Sequence, residues 1–279
     1  MIKSPLNYIG GKYKLLPQLL DLFPANIDHY VDLFAGGLDV AVNVEAVHKE
    51  CNDINYRLID IYRAMQQMTI EDLLDYMDRR IVQYGLSKTN KQGYLQLRDD
   101  YNRNPNPLDL YVLVCYSFNY QFRFNSKMEY NNPFGTNRSS FSEVMRQHLI
   151  DFHPCITHIT FHACHFCDYD LHTLGPNDFL YADPPYLISC GSYNDGKRGF
   201  RGWTAHDDLQ LFLMLDELHH QGSRFALSNV FTHKGQENRP LIDWARHYHV
   251  HYINHNYNNS NYQSRSRANE TQEVLVTNY

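Results

Sequence analysis

At 279 residues, 43% hydrophobic and 20% charged, the chain can bury one large core with an inserted lobe, which excludes wholesale disorder. No apolar run approaches bilayer-spanning length, the start Met1-Ile2-Lys3-Ser4-Pro5 has no signal-peptide hydrophobic region, and six cysteines in such a chain favour reduced thiols and a cytoplasmic setting. The net charge of −6 argues against a protein that coats nucleic acid, yet basic residues cluster at Arg123, Lys127, Arg138 and Arg146, at Lys197, Arg198 and Arg201, and at Arg265 and Arg267.

In chain order, Asn7-Tyr8-Ile9-Gly10-Gly11-Lys12 reads as a glycine turn entering a helix. His29 to Phe34 reads as the first strand, followed by the turn Ala35-Gly36-Gly37 and a helical stretch from Val40 to Val47. A second strand ends at Glu50-Cys51-Asn52-Asp53. Helical periodicity runs from Tyr56 to about Gln67 and from Ile70 to Tyr84. The polar stretch from Gly85 to Asp109, broken by Pro105 and Pro107, reads as loop excursions, and Leu110 to Ser117 as a helix. From Asn119 to Ser142 the composition turns to Asn, Arg, Ser and aromatics with little periodicity, the pattern of a surface lobe that buries little of its own. Strands are predicted at Ile156 to Phe161, Asp178 to Ala182, Arg224 to Leu227, His249 to Ile253 and Glu273 to Thr277. There is no internal repeat. The order predicts a doubly wound α/β sheet with an insertion at residues 56–150.

The most informative stretch is Asp183-Pro184-Pro185-Tyr186, directly after the buried strand that ends at Ala182. Two prolines remove two backbone donors and stiffen the loop, so a carboxylate, a carbonyl and an aromatic face are held together. They stand where open α/β sheets place ligands, beyond the carboxyl end of a strand. Two acceptors and a ring suit a planar base with an exocyclic amine. Phe34-Ala35-Gly36-Gly37 lets a ligand approach backbone closely, but without the spacing of a dinucleotide-binding turn. Asp53, about twenty residues after Asp32, stands where an acid accepts ribose hydroxyls. Arg123 carries a fork suited to guanine in the major groove, and Gln121 an amide suited to adenine. A metal reading of His153, Cys155, His158, His162, Cys164, His165 and Cys167 lacks a second Cys-x-x-Cys, so no metal is expected.

Pro5-Leu6-Asn7-Tyr8-Ile9-Gly10-Gly11-Lys12, Asp32 to Gly37, Asn52-Asp53-Ile54-Asn55, Phe118 to Gly135, Asp183 to Tyr186 and Glu273 to Tyr279, in that order, resemble the motifs of the Dam-like family of adenine-N6 DNA methyltransferases. The resemblance spans nearly the whole chain. It implies a mostly parallel seven-stranded Rossmann-like sheet, with residues 1–55 and 151–279 binding S-adenosylmethionine and residues 56–150 forming an inserted, mainly helical target-recognition domain. Tyr8, Gly11, Lys12, Asp32, Phe34, Gly36, Asp53 and Ile54, with Asp168, Tyr169 and Asp183, are then expected around the cofactor. Asp183 and the Pro184 carbonyl would hold the amine of a flipped-out adenine, and Tyr186 would stack on the base. Whether Asp183 also takes the proton stays open. Asn7, Asn119, Gln121, Arg123, Asn125, Arg138, Lys197 and Arg198 are expected on double-stranded DNA. The chain departs from the pattern at Leu38, in the glycine turn, and at Asn7, where GATC-methylating members carry Lys, so GATC is not carried over. A monomer or weak dimer with a cognate restriction endonuclease, and no membrane partner, completes the expectation. The rival readings are a methyltransferase of RNA adenine or of a protein glutamine amide, and a non-catalytic DNA-binding regulator.

Overall fold

The computed structural model describes residues 1–189, 202–254 and 271–279. Lys197, Arg198, Arg201, Arg265 and Arg267 lie outside these described residues. The strands are β1 (Ile27–Asp32), β2 (Ala46–Asn52), β3 (Ile159–His162), β4 (Phe179–Ala182), β5 (Arg224–His233), β6 (Gln236–Glu237), β7 (His249–Ile253) and β8 (Gln272–Thr277). They form one sheet in the order β3-β2-β1-β4-β5-β8-β7, with β6 a two-residue ribbon on β5. The first five positions are parallel, and β8 inserts antiparallel between β5 and β7. The expected doubly wound, mostly parallel arrangement is therefore present, with seven strands across the sheet.

Both faces are buried, so successive residues of a strand serve different cores. Tyr30, Phe179, Tyr181 and Leu275 enter one cluster, while Val31, Leu180, Ala182, Val274 and Val276 enter the other. The second face is covered by α7 (Ala205–His220) and α8 (Arg239–Ala245). The first is covered by α1 (Leu16–Leu22), α2 (Tyr56–Gln66), α3 (Ile70–Gln83), α4 (Lys91–Arg103), α5 (Pro107–Tyr116) and α6 (Glu143–Ile156). Helix α5 is buried all round, as its unbroken apolar run from Leu110 requires, and α2, α3 and α4 pack around it.

Four sequence expectations need correction. Val40 to Val47 is not a helix: Leu38 takes a left-handed φ of 65°, two irregular turns follow, and β2 begins at Ala46. The stretch read as excursions contains α4, whose buried face is only Gly93, Tyr94, Leu97 and Tyr101, too sparse to mark a helix among polar residues. Pro107 starts the next helix rather than breaking one, and Pro105 falls between the two. Asn106 caps α5 by accepting from Leu108 and Asp109 N–H, and Pro107 occupies a first-turn position that needs no donor. Ile156 ends α6 and β3 starts only at Ile159.

The segment from Asn119 to Ser142 is irregular as expected, but it buries Phe124, Tyr130 and Phe134. Asn102 of α4 both donates to the Tyr130 carbonyl at 3.0 Å and accepts its N–H at 2.8 Å, and the Tyr94 hydroxyl donates to the Asn132 carbonyl at 2.8 Å. Polar anchors replace a regular ladder here. Among the described residues no helix is long and apolar enough to cross a membrane.

Within the helical layer Asp109 is buried and accepts from Arg80 Nε at 2.6 Å and the Tyr76 hydroxyl at 2.8 Å. Arg80→Leu would strand that carboxylate, so urea unfolding should show a loss of about 3 kcal/mol. Val82→Ala, on the exposed side of the same helix, should change stability by less than about 0.5 kcal/mol.

Candidate active site

The carboxyl ends of β1, β2, β3 and β4 open onto a cavity of about 450 Å³. That volume lies in the range of small-molecule sites. One wall is the loop after β4. Asp183 Oδ2 lies 2.7 Å from Lys12 Nζ, and Asp183 Oδ1 accepts the Tyr186 hydroxyl at 3.0 Å. The same hydroxyl is 3.1 Å from Oε1 of Glu273, and Lys12 Nζ sits over the Tyr186 ring, 5.0 Å from its centroid. Burial, then the charges of Asp183 and Glu273, push the Tyr186 phenol well above its ordinary range, so it keeps its proton and acts as a donor.

The opposite wall is the turn after β1. Gly36, at a left-handed φ of 46°, donates its N–H to Asp53 Oδ2 at 3.0 Å, and its carbonyl accepts the Tyr62 hydroxyl at 2.7 Å. A Cβ at Gly36 would stand 3.1 Å from the Tyr8 ring, and one at Gly11 only 2.8 Å from Asp39 Oδ2, so the two glycine turns pack backbone to side chain. Residues 1–12 are tied over this turn: Asn43 bonds both the N–H and the carbonyl of Ile2, and Asp39 accepts from Ser4 N–H. Asn52 ends β2 fully buried and joins its neighbours, donating to the carbonyls of Leu33 and Cys164 and accepting the Cys164 N–H. Three loops are thereby fixed by one amide.

Asp32, Asp53, Asp183 and Lys12 are all on the cavity wall, and among the described residues Lys12 is the only Lys or Arg there. The imbalance shows in the titration of Asp32. Burial first, then the charge of Asp183, raises its carboxyl from 3.8 to about 8. Burial raises Asp53 as well, opposed by the N–H groups of Asn55 and Gly36. Oδ1 of Asp32 is buried with no hydrogen-bond partner. A site short of positive charge, with an unsatisfied carboxylate oxygen inside it, fits a ligand that brings cationic groups.

A model of the D12 class N6 adenine-specific DNA methyltransferases matches residues 8–259. The chain belongs to that family. It is 52% identical over 282 residues to the modification methylase StsI of Streptococcus sanguinis and 47% identical over 280 residues to the type II methyltransferase M.FokI of Planomicrobium okeanokoites. It is 33% identical over 284 residues to the modification methylase LlaI of Lactococcus lactis subsp. lactis. All or nearly all of the chain is covered in each case, and it spans 43% of the length of each relative.

The residues that the family's motifs single out meet at this cavity in large part. Tyr8, Gly11, Lys12, Asp32, Phe34 and Gly36 line it, as do Asp53 and Ile54. So do Asp183, Pro184 and Tyr186, with Asn7 and Gln121 also on its wall. Asp168 and Tyr169 do not. Asp168 is exposed on the far side of a short 3-10 turn, and the Tyr169 hydroxyl donates to Glu50. The edge of β3 instead turns Cys164, His165 and Phe166 inward, because the chain bends directly after His162. Asn119, Arg123 and Arg138 are exposed and off the cavity. Asn125 is spent on its own turn, accepting from Lys127 and Glu129 N–H and donating to the Glu129 carboxylate.

Sequence reasoning missed several wall residues. Phe34 meets Trp203 edge-on at 5.5 Å and Phe166 at 5.5 Å, an aromatic group drawn from three distant segments. Phe122 packs against Tyr8 with ring centroids 5.8 Å apart. Glu273, which reaches the Tyr186 hydroxyl from beside the wall, entered the sequence reading only as the first residue of a strand and of the closing motif. The His/Cys side chains are used separately: His153 against the carbonyls of Met65 and Met68, His162 against Glu50, and Cys164 against Asn52. No group of three metal-ligating side chains comes together among the described residues.

Because the folded protein keeps a proton on Asp32 between 3.8 and about 8, that group makes the ligand-free protein lose stability as pH rises through this window. A cation bound in the cavity favours the ionised form and releases the proton. Affinity for a cationic ligand should therefore increase with pH up to about 8 and then level off. Calorimetry in two buffers of different ionisation enthalpy should register proton release, and Asp32→Asn should lower it to what Asp53 contributes.

Proposed function

We propose that this chain transfers the methyl group of S-adenosylmethionine to N6 of an adenine flipped out of double-stranded DNA at a specific site. The carrying observation is the Asp183-Pro184-Pro185-Tyr186 loop opening onto the same acidic cavity as the two glycine turns. S-adenosylmethionine, when bound, supplies an electrophilic methyl on a sulfonium, and its positive charges suit the carboxylates there. Asp53 and Asp32 would hold it with Lys12, Tyr8, Phe34, Gly11, Gly36 and Ile54, while Phe166 and Cys164 take the place on the β3 edge first expected of Asp168 and Tyr169.

Adenine N6 is a poor nucleophile because its lone pair is delocalised into the ring. Asp183 and the Pro184 carbonyl accept its two N–H bonds, draw it towards tetrahedral geometry and steady the positive charge that develops. A paired base cannot reach this loop, so it must leave the duplex at a cost of roughly a few kcal/mol. Residues 56–150 serve as the target-recognition part, since the irregular segment they contain sends Gln121 to the cavity and Arg123 to solvent. Asn7, Asn119 and Arg138, all exposed, are assigned to the DNA contact with Arg123, as are Lys197 and Arg198 on their charge alone. A restriction-modification setting with a cognate endonuclease is supported by the relatives' names, modification methylase and type II methyltransferase.

Labelled cofactor offered with DNA, RNA or protein should label DNA alone, and sequencing the product should show modified adenines in one sequence context. Asp183→Ala should abolish transfer while cofactor affinity stays within about tenfold, because the carboxylate acts mainly on the target amine. Arg123→Ala should cost about 1–3 kcal/mol for the cognate site and relax preference at one base pair. An equal loss for all sequences would make Arg123 a phosphate contact instead.

A further inference from the structure

The carboxylate that the proposed reaction needs is already engaged on both oxygens. Lys12 Nζ holds Asp183 Oδ2 at 2.7 Å and the Tyr186 hydroxyl holds Oδ1 at 3.0 Å. The Lys12 ammonium also stands over the Tyr186 ring, so it covers both the acceptor that the adenine amine would use and the face on which the base would stack. Entry of the base must displace donors that are themselves buried. Lys12 is 7% exposed, and an ammonium at such a place cannot be left without a carboxylate partner.

A second carboxylate lies beside the first and already accepts from the same hydroxyl. Glu273 is 6% exposed, with Oε1 3.1 Å from the Tyr186 hydroxyl and 3.9 Å from Lys12 Nζ. Its place follows from topology: β8 runs antiparallel to β5, so its first residues lie at the edge where β4 and β5 end. Tyr186 has only to rotate its O–H to change acceptor. A shift of about 1 Å brings the ammonium into charge-assisted hydrogen-bond range.

We propose that Glu273 is a positioning residue, the alternative acceptor to which Lys12 and the Tyr186 hydroxyl pass when the target amine takes Asp183. The inference rests on the methyl-transfer reading above. It assigns to the closing strand a part in clearing the catalytic loop, and it makes the switch depend on negative charge at position 273. A glutamine there has the size and an accepting oxygen, but it cannot draw the ammonium away from Asp183.

The test uses the full chain, S-adenosylmethionine and a duplex carrying the site mapped by sequencing methylated DNA, with adenine or unsubstituted purine at the target position. Glu273→Gln should lower kcat at least about tenfold with cofactor Kd within about threefold. It should also erase the preference for adenine over purine in binding, which needs no turnover to measure. In a Lys12→Met background the same change should cost less than about twofold, because its route through Lys12 is gone. Glu273→Asp, which keeps the charge, should retain more of both kcat and adenine preference than Glu273→Gln. If Glu273→Gln loses cofactor binding and thermal stability, Glu273→Asp decides: cofactor binding without adenine preference overturns the proposal. Unchanged kcat in Glu273→Gln, or an equal loss with and without Lys12, also overturns it. If the unsubstituted protein labels no DNA, the methyl-transfer reading itself fails and this assignment falls with it.

Discussion

Concentrated negative charge at one edge of a parallel sheet is the constraint around which this molecule is arranged. Asp32, Asp53, Asp183 and Glu273 converge there from four strands or their ends, against the single ammonium of Lys12 among the described wall residues. Carboxylates removed from water must be protonated, hydrogen-bonded or paired, and each device is in use. Asp32 holds its proton, Asp53 takes two backbone N–H groups, and Asp183 takes an ammonium and a phenol. The parallel order puts the strand ends together, the antiparallel β8 adds a carboxylate from the opposite direction, and the first twelve residues carry the cation across.

Much of this was legible in the sequence, for reasons that differ by element. The run from Phe179 to Ala182 announced a strand buried on both faces, and Asp183 announced where it stopped, because nothing polar interrupts the one and prolines lock the other. Helices α2 and α3 showed their periodicity in apolar residues of one face. Helix α4 did not, since three aromatic or aliphatic side chains and a glycine suffice to seat it on α5, and its cap Asn90 looks like any loop residue. The turn after Gly37 hid behind valines and alanines that bury without being helical, their backbone direction reset by the left-handed Leu38. Most residues that the motifs singled out line the cavity, Asp168 and Tyr169 excepted. Those supplied by tertiary approach, such as Trp203 and Phe166, had no local pattern to betray them.

The segment between α5 and α6 illustrates how irregular chain can be well specified. Asn119 and Tyr120 both take left-handed φ values, 53° and 55°, beside the residues that reach the cavity wall. Such conformations cost energy and persist only where the surroundings fix them. Here the fixing comes from side-chain amides: Asn102 on Tyr130, Asn132 on the Phe118 carbonyl, Asn125 on its own turn. A loop rich in asparagine thus has a defined shape without a ladder, and its outward side chains, Arg123 and Arg138 among them, stay in solvent.

The Asn52 brace couples segments that lie far apart in the chain. One amide spans the starts of the loops after β1 and β3 from the tip of β2, so replacing Asn52 would release both at once. The segment from Asn119 to Ser142 is tied instead to α4 through Asn102 and to itself through Asn132, and neither bond passes through the brace. Exchange of its outward side chains, Arg123 or Arg138, therefore leaves every bond of the Asn52 amide in place.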